Sequence, residues 1–373
     1  MAQRKRTGLP PTMSLYLAKL FAKNFLSVFG ILLLIVYLFS TMELLRQASK
    51  VEQISFGMVL TMGLYKLPDL GQTLLPFAIL FGAMFTFWIL ARRHELVVVR
   101  GAGFSVWQFL APILIVAGLT GVIQCTILNP VSATMLGRYD ALESKYFMRD
   151  KGIITTLFDK GIWLRQMESG DKGYMIVHAD KIILPQWQMN NVMALFFDNN
   201  DTFLRRIDST GAKLGDGEWV FENAQVYQNQ KQVEHSASVS MPTKLTRYDI
   251  EESFSSARAQ SFWRLPGYIR TLTETGFDAT RLKIHFQALL AAPVLFLAMV
   301  LLAASVSMRP PRFQRSFELI AAGVIMGFMV FFISSFLQAL GASQQIPVIL
   351  AAWSPALVSM LLGVTAILSL EDG

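Results

Sequence analysis

The sequence predicts a polytopic α-helical membrane protein with six transmembrane helices, arranged three plus three, and an inserted extracytoplasmic all-β domain. Three observations predict this fold. The chain of 373 residues is 53% hydrophobic and only 16% charged, whereas an average soluble domain carries about 25% charged residues. Long uncharged runs recur towards both ends of the chain. The middle of the chain instead alternates short apolar runs with turn signals.

The uncharged runs predict the spans, because ~20 mostly apolar residues cross ~30 Å of hydrocarbon as a helix. The second span is expected to begin before its uncharged run, nearer Met58, with a charged interruption at Lys66–Asp69. Residues Leu319–Leu370 carry no charge and are too long for one helix, but the polar turn Gly341–Pro347 ends in a helix-breaking proline. This turn separates spans five and six. The first four spans are predicted at Asn24–Met42, Leu70–Ala91, Gly101–Gly137 and Ile284–Met308.

The middle segment, residues 138–270, reads as a β domain between membrane halves 1–137 and 271–373. Short strands separated by turn signals are typical of an antiparallel sandwich or roll. The stretch Phe262–Thr273 resembles a short amphipathic helix or connector that leads back to the membrane. The turn signals are Asp159–Gly161, Asp198–Asp201 and Gly215–Gly217. The predicted strands are Ile153–Phe158, Ile162–Gln166, Tyr174–Val177, Val192–Phe197, Trp219–Phe221 and Val233–Met241.

The distribution of charge predicts the orientation. Residues 138–283 hold 19 basic and 19 acidic residues, so the net charge of +7 lies entirely in the rest of the chain. Eleven of the other fourteen basic residues fall on three segments that an N-in topology places in the cytoplasm, whereas the short loop Leu340–Pro347 has none. This pattern indicates cytoplasmic termini, an external β domain and no nucleic-acid partner. No cleavable signal peptide is apparent, so the first span should remain as an anchor. The eleven are Arg4, Lys5, Arg6, Lys19, Lys23, Arg92, Arg93, Arg100, Arg309, Arg312 and Arg315.

The motifs of enzymes are missing from the sequence. There is no phosphate-binding loop, no nucleophile elbow and no HExxH motif. The four histidines are far apart, and the single cysteine, Cys125, is expected to be a small apolar residue in a helix. We therefore expect no catalytic residue, no metal and no cofactor.

Two groups of charged residues could bind partners. Glu43 and Arg46 lie three residues apart at the outer end of the first span, with Lys50 close by and Arg138 just beyond the third span. They form either an ordinary interfacial helix end with snorkelling side chains or an anion-contacting cluster at the mouth of a cavity. The stretch at about 91–103 is either a plain loop helix or a docking helix, with a turn at its glycines.

That second stretch reads Arg93-His94-Glu95-Leu96-Val97-Val98-Val99-Arg100-Gly101-Ala102-Gly103. It resembles the cytoplasmic coupling helix of the lipopolysaccharide-export permeases of the LptF/LptG type. The residues Glu95-Leu96-Val97-Val98-Val99 are more similar to the LptG branch of the family. Two Leu-Pro pairs ending at Pro68 and Pro76, Ile346-Pro347 before the last span and Trp353-Ser354-Pro355 within it also resemble this family. The resemblance covers nearly the whole chain and is weak within the β domain.

The resemblance implies a subunit of the bacterial inner membrane that pairs with an LptF-like paralogous permease. It implies a cytoplasmic LptB-like ATPase dimer, an LptC-like single-span bridge protein and a periplasmic β-jellyroll-like domain. Glu95 matches the acidic residue that docks into the ATPase, with Arg92, Arg93 and Arg100 in support. The cargo would be lipopolysaccharide, taken from the outer leaflet and passed to a periplasmic bridge toward the outer membrane.

The lipid-contacting positions of the family match less well. Members carry several lysines at the outer end of the first span, where this chain has Arg46 as the best match, Gln47 at a lysine position and no mid-span lysine at 38–41. A basic rim would comprise Arg46, Lys50 and Arg138, able to pair with phosphate. Apolar wall candidates, which could equally be lipid-facing or packing side chains, are Phe29, Leu33, Tyr37, Phe328, Phe331 and Phe332.

Other classes of protein fit the sequence less well. A different ATP-driven permease, for lipid or lipoprotein release or for efflux, would have four spans with its outer domain after the first. A membrane sensor would need a cytoplasmic signalling domain, and the cytoplasmic segments are too short for one. A membrane enzyme has no supporting motif.

Overall fold

The fold was examined in a computed structural model of the full chain. Within the described residues, six helices are long and apolar enough to cross a membrane, as predicted. A β-sheet lies in sequence between the third and fourth of them. The described residues are 10–49, 54–146, 162–167, 173–183, 188–198, 201–215, 217–228, 231–243, 257–274, 278–308 and 316–371.

The first half of the membrane domain contains three spans and one short helix. Helix α2 begins well before its uncharged run, as expected, with the charged interruption inside it. The third span is a continuous helical segment, Val106–Glu143, and its last helix continues to Tyr146, so Arg138 lies on a helix. The elements are α1 (Pro11–Ala48), α2 (Phe56–Arg92), α3 (Glu95–Gly101), α4 (Val106–Ile123), a π-helical turn (Gln124–Leu128) and α5 (Asn129–Tyr146).

The second half contains the connector and the last three spans. The predicted connector helix is present, and the polar turn at residues 343–347 separates the last two spans as expected. The elements are a 3₁₀ turn (Ala257–Ala259), α6 (Leu265–Glu274), α7 (Thr280–Ser307), α8 (Ser316–Ala342) and α9 (Val348–Glu371). Asp278 ties the start of α7 to the turn between α8 and α9: its Oδ1 accepts the N–H of Thr280 at 2.9 Å, and its Oδ2 accepts from Gln344 at 3.5 Å. These hydrogen bonds lower the pKa of Asp278.

Helices α2 and α7 form the centre of the bundle. Over the most apolar stretch of each helix, 56% of the residues of α2 and 61% of those of α7 are buried, against 11% in α1 and 17% in α8. The buried cluster of the bundle joins α1, α2, α3, α4, α7 and α9. Helices α1 and α8 therefore lie at the periphery and present long apolar faces.

The two ends of the helical bundle are distinguished by the elements that follow them in the chain, the sheet at one end and helix α3 at the other. A second buried cluster joins Leu44 of α1, Val59 and Met62 of α2, and Leu136 of α5. These residues lie at the end from which the chain enters the sheet, here called the β-domain end. Helix α3 follows the far end of α2 and so lies at the opposite end of the bundle.

Helices α1 and α2 approach closely where a glycine faces a backbone. A Cβ on Gly82 would lie 2.7 Å from the Cα of Phe25, which is too short for any contact. Close to this crossing, the amide Nδ2 of Asn24 donates to Thr86 Oγ1 at 2.9 Å in a buried position. Small residues and interhelical hydrogen bonds stabilise helix pairs in lipid, where hydrophobic burial between helices contributes little.

The inserted domain is one six-stranded antiparallel sheet whose strands follow each other in sequence order among the described residues. Its buried side chains from β2 to β5 form a single cluster, which is the packing expected of a sheet curled over its inner face. The predicted strand Ile153–Phe158 and the turn Asp159–Gly161 lie outside the described residues. The strands are β1 (Ile162–Met167), β2 (Tyr174–Ile183), β3 (Gln188–Phe197), β4 (Phe203–Leu214), β5 (Glu218–Gln228) and β6 (Lys231–Pro242).

Two features of the sheet escaped prediction. Strand β4 was missed because its apolar residues do not alternate. Among its hydrophobic side chains whose burial is described, only Ile207 and Ala212 are fully buried. Pairing with both neighbouring strands stabilises it. In β3, Asn191 adopts a left-handed conformation with φ 51°. The alternation of buried and outward-facing side chains shifts by one residue at this point, so that Met189 and Val192 are both buried.

The α1–α2 crossing predicts a matched pair of glycine substitutions. Gly82→Ala must push α1 away from α2, and overpacking of this kind typically costs about 1–3 kcal/mol. Gly30→Ala meets open space on the same helix pair and should leave stability unchanged or raise it by up to about 1 kcal/mol. Thermal unfolding in detergent should show a lower midpoint for the first variant only. Equal midpoints would contradict the close approach at Gly82.

Candidate functional site

The second span ends in a sharp reversal that positions the short helix α3. Helix α2 ends at Arg92, Arg93 caps it, and His94 adopts a left-handed φ of 57°. Helix α3 starts at the next residue, Glu95, where an acidic side chain favours the positive end of the helix dipole. The chain thus turns by backbone conformation at His94, and this places Glu95 at the start of the new helix.

Helix α3 rests on the bundle by one face and exposes the other. Leu96 and Val99, three residues apart, are buried in the main core of the bundle. Val97 and Val98 are 67% and 70% exposed. A helix of seven residues is too short to be stable alone, so its contacts with the core hold it. The result is an apolar surface presented outward at the end of the bundle opposite the sheet.

The carboxylate of Glu95 is held from two sides. Tyr16, on α1, donates its hydroxyl to Glu95 Oε1 at 3.2 Å. Arg93 Nη1 lies 3.9 Å from the same oxygen, and the Glu95 side chain remains 33% exposed. The site therefore has one anchored carboxylate that still faces solvent.

The predicted arginines do not all gather at Glu95. The guanidinium of Arg92 lies over the ring of Trp88, 5.2 Å from its centroid. Arg100 is in α3, and its side chain lies outside the described residues. Tyr16 was missed at the sequence level because it is 79 positions from Glu95, and no local pattern signals such a contact.

The basic rim candidates are at the β-domain end. Arg46 forms two hydrogen bonds with Glu43, at 2.8 and 2.9 Å, with its side chain 70% exposed. Gln47 donates to the same carboxylate at 2.9 Å. Arg138 is exposed, 6.0 Å from the ring centroid of Tyr65. Lys50 lies outside the described residues. The guanidinium of Arg46 is therefore paired with the carboxylate of Glu43 on its own helix.

The aromatic candidates divide between two roles. Phe328, Phe331 and Phe332, here called the aromatic strip of α8, are 52%, 39% and 64% exposed. Phe77 of α2 contacts the first two, with ring centroids 6.0 and 5.7 Å apart. The strip is thus anchored at one edge and open along the other.

The candidates on α1 instead pack against α2. Phe29 and Leu33 face Gly71, and Tyr37 donates its hydroxyl to the carbonyl of Leu60 at 3.4 Å. Within this chain they are packing residues.

This arrangement is that of a multi-pass membrane protein with a sheet inserted in sequence after its third span. The chain belongs to the family described as lipopolysaccharide export system permease LptF/LptG, whose model matches residues 15–369.

Curated relatives agree with that family. The lipopolysaccharide export system permease protein LptG of Haemophilus influenzae is 24% identical over 300 residues, which cover 77% of this chain and 79% of the relative. The protein of the same name from Escherichia coli K12 is 24% identical over 348 residues, covering 89% of this chain and 92% of the relative. The likeness to the LptG branch, predicted from the coupling stretch, is confirmed by these matches.

The two faces of α3 predict opposite effects of the same truncation. Leu96→Ala removes the buried anchor at a typical cost of about 2–5 kcal/mol, and α3 should detach from the bundle. Val98→Ala removes an exposed side chain and should leave α3 in place. Hydrogen exchange followed by mass spectrometry should show faster exchange at the amides of α3 in the first variant alone. Slow exchange in both variants would contradict an α3 held by its core-facing side.

Proposed function

We propose that the chain is a permease subunit of an ATP-driven lipopolysaccharide exporter. It extracts lipopolysaccharide from the outer leaflet of the inner membrane and passes it to a periplasmic bridge toward the outer membrane. The observation that carries the proposal is α3, a short helix anchored to the core by Leu96 and Val99 while Val97 and Val98 are exposed. Membership of the LptF/LptG family supports this role.

Helix α3 acts as the contact with an LptB-like ATPase dimer that supplies the energy. The exposed pair Val97 and Val98, beside the carboxylate of Glu95, is complementary to a groove on the ATPase that has an apolar floor and a hydrogen-bond donor at its rim. Glu95 provides the polar contact and Arg93 orients it; Arg92 and Arg100 support the docking surface. Because Leu96 also belongs to the cluster that contains Leu90 of α2, force applied at α3 is transmitted to the central helix.

The orientation follows the basic residues. The termini and α3 lie in the cytoplasm, and the β domain lies in the periplasm. Residues 1–137 and 271–373 form the two membrane halves, and residues 138–270 form the β-jellyroll-like domain. That domain continues the lipid path outside the membrane, with an LptC-like single-span protein as its partner.

The cargo path runs along the peripheral helices. Each acyl methylene exposed to water costs ~0.8 kcal/mol, so the cargo needs a continuous apolar surface. Helices α1 and α8, which are little buried within this chain, provide it together with an LptF-like paralogue. Arg46, Lys50 and Arg138 are candidates for the phosphate contacts, and the aromatic strip of α8 (Phe328, Phe331 and Phe332) contacts acyl chains.

The coupling role predicts the effect of Glu95→Ala. Loss of the carboxylate should reduce the amount of ATPase that co-purifies with the permease by roughly tenfold, equivalent to about 1.4 kcal/mol, and should reduce export. Insertion should be unaffected because Glu95 is partly exposed. The measurement is affinity purification from mild detergent, with membrane yield scored in parallel.

Tyr16→Phe is the matched control for this experiment. It removes the hydrogen bond to Glu95 but keeps the carboxylate, so docking should fall less than in Glu95→Ala. Wild-type co-purification and export in Glu95→Ala would refute the coupling role.

The lipid path predicts opposite effects at the two ends of one ion pair. Arg46→Asp should reduce lipopolysaccharide crosslinking near the first span, because a like charge then faces the lipid phosphates. Glu43→Gln frees Arg46 from its intrahelical partner and should increase crosslinking. The probe is a benzophenone side chain at Met42, which is 70% exposed. Unchanged crosslinking in both variants would refute a role of Arg46 in holding the cargo.

A further inference from the structure

Residues 257–265, here called the strap, return the chain from the sheet to the helical bundle. Two polar contacts fasten the strap to the first half of the membrane domain. Nη1 of Arg258 lies 3.6 Å from Oδ2 of Asp69 on α2. The backbone N–H of Phe262 donates to Oδ1 of Asn129, a buried residue at the start of α5, at 2.7 Å. The strap therefore has a fixed place on the bundle.

A proline in the third span provides the acceptor for the tryptophan of the strap. Pro130 has no N–H, so the carbonyl of Thr126, four residues earlier, lacks its α-helical donor. The helix passes this point as a π turn, in which the N–H of Asn129 donates to the carbonyl of Gln124. Nε1 of Trp263 donates to the carbonyl of Thr126 at 3.2 Å. The indole is thus held by its polar edge.

The ring of Trp263 is open to the surroundings, although its neighbours are packed. Phe262 stacks on Phe286 of α7, with ring centroids 5.5 Å apart, and Leu265 is fully buried in the cluster that contains Cys125. Trp263 is nevertheless 66% exposed. An indole whose N–H is bonded at one edge while its apolar face is open is the form in which tryptophan occurs at membrane–water interfaces.

The hydrogen bond to Thr126 fixes the depth of this ring. The third span begins at Val106, and Thr126 lies twenty residues further on. At 1.5 Å per residue that distance is roughly 30 Å, which is the thickness of the hydrocarbon. Trp107 lies at the first of these two boundaries and Trp263 at the second. The exposed ring is therefore at the level where hydrocarbon meets headgroups on the β-domain side.

An exposed cation, Arg264, directly follows the tryptophan. Across the described ranges, no carboxylate pairs with its guanidinium, whereas Arg258 is engaged by Asp69. The segment 257–283 holds five basic and two acidic residues. In the orientation proposed above, the positive-inside rule predicts few basic residues beside a span on this side. The excess of positive charge is complementary to an anionic surface at the same level.

We propose that Trp263 and Arg264 bind anionic phospholipids of the surrounding bilayer at the level of the headgroups. The guanidinium pairs with the phosphate and prefers a headgroup of net negative charge, while the indole ring lies along the glycerol and the first methylenes. The strap is thereby held from outside by the bilayer and from inside by Thr126 and Asn129. This surface serves the lipid that surrounds the protein rather than the cargo, and it goes beyond the proposed function.

The test uses the full chain with fluorotryptophan in place of tryptophan, in nanodiscs of phosphatidylcholine and phosphatidylglycerol. The fluorine resonance of Trp263 is assigned by its disappearance in Trp263→Phe. A trace of lipid with a nitroxide beside the glycerol should broaden this resonance, because the ring lies at that level, and a nitroxide at the end of the acyl chain should not. Equal broadening by both probes, stronger broadening by the chain-end probe or none by the glycerol probe would overturn the proposal.

Arg264→Gln tests the preference for anionic lipid. With the nitroxide beside the glycerol in both lipids, phosphatidylglycerol should broaden the Trp263 resonance more than phosphatidylcholine at the same mole fraction. Arg264→Gln should reduce this preference about fivefold, the contribution of one basic residue at an anionic surface. Arg264→Lys, the matched control, keeps the charge and should retain the preference. A preference that is absent in the unaltered chain, or unchanged in Arg264→Gln, would contradict the role of the guanidinium and overturn the proposal.

The lipid surface and the proposed function fail separately. The nanodisc assay contains no ATPase, paralogue or cargo, so lipid contact at Trp263 can hold even when Glu95→Ala leaves docking intact. The same measurement on the complex purified from its native membrane should still show broadening by phosphatidylglycerol. Loss of broadening in the complex would mean that a partner protein covers Trp263 and Arg264, and would overturn the proposal while leaving the export function standing. Complete displacement of phosphatidylglycerol by lipopolysaccharide at the same mole fraction would assign the surface to the cargo and overturn it as well.

Discussion

The close packing of two central helices is the constraint on which the rest of the structure depends. In lipid, helices associate through van der Waals contact and hydrogen bonds, and α2 and α7 bury more than half of their apolar stretches. A backbone-to-backbone approach at Gly82 and the Asn24–Thr86 hydrogen bond attach α1. At the β-domain end the same frame borders a cavity of about 230 Å³ whose wall mixes polar and apolar side chains, and at the other end it receives Leu96 of α3.

The peripheral helices have the opposite character, and that contrast bears on function. Helices α1 and α8 leave most of their apolar surface uncovered, as a chain that contacts lipid, cargo or a second permease requires. The charged groups lie at the two ends of this apolar frame. Arg46 is paired at one end and Glu95 is anchored at the other, so the two groups of charged residues are separated along the length of the bundle.

The sequence was sufficient to predict the spans, the short helix after Arg92 and most strands. Bilayer thickness sets the length of an apolar run, and backbone geometry sets the period of a strand, so both produce local sequence patterns. Strand β4 has no such local pattern, because pairing with its neighbouring strands stabilises it rather than its own apolar residues. The site was predicted only in part. Glu95 followed from the family motif, but its contact with Tyr16 joins distant positions. The candidates Phe29 and Leu33 pack on α2, because sequence periodicity does not specify which neighbour a helix face meets.

Affinity purification of the full chain from its native membrane in mild detergent tests the central claim most directly. A permease subunit with an anchored α3 should bring with it a separate nucleotide-binding subunit and a homologous six-span chain. ATP hydrolysis should then belong to the nucleotide-binding subunit. Recovery of the chain alone under conditions that preserve membrane complexes would contradict the account.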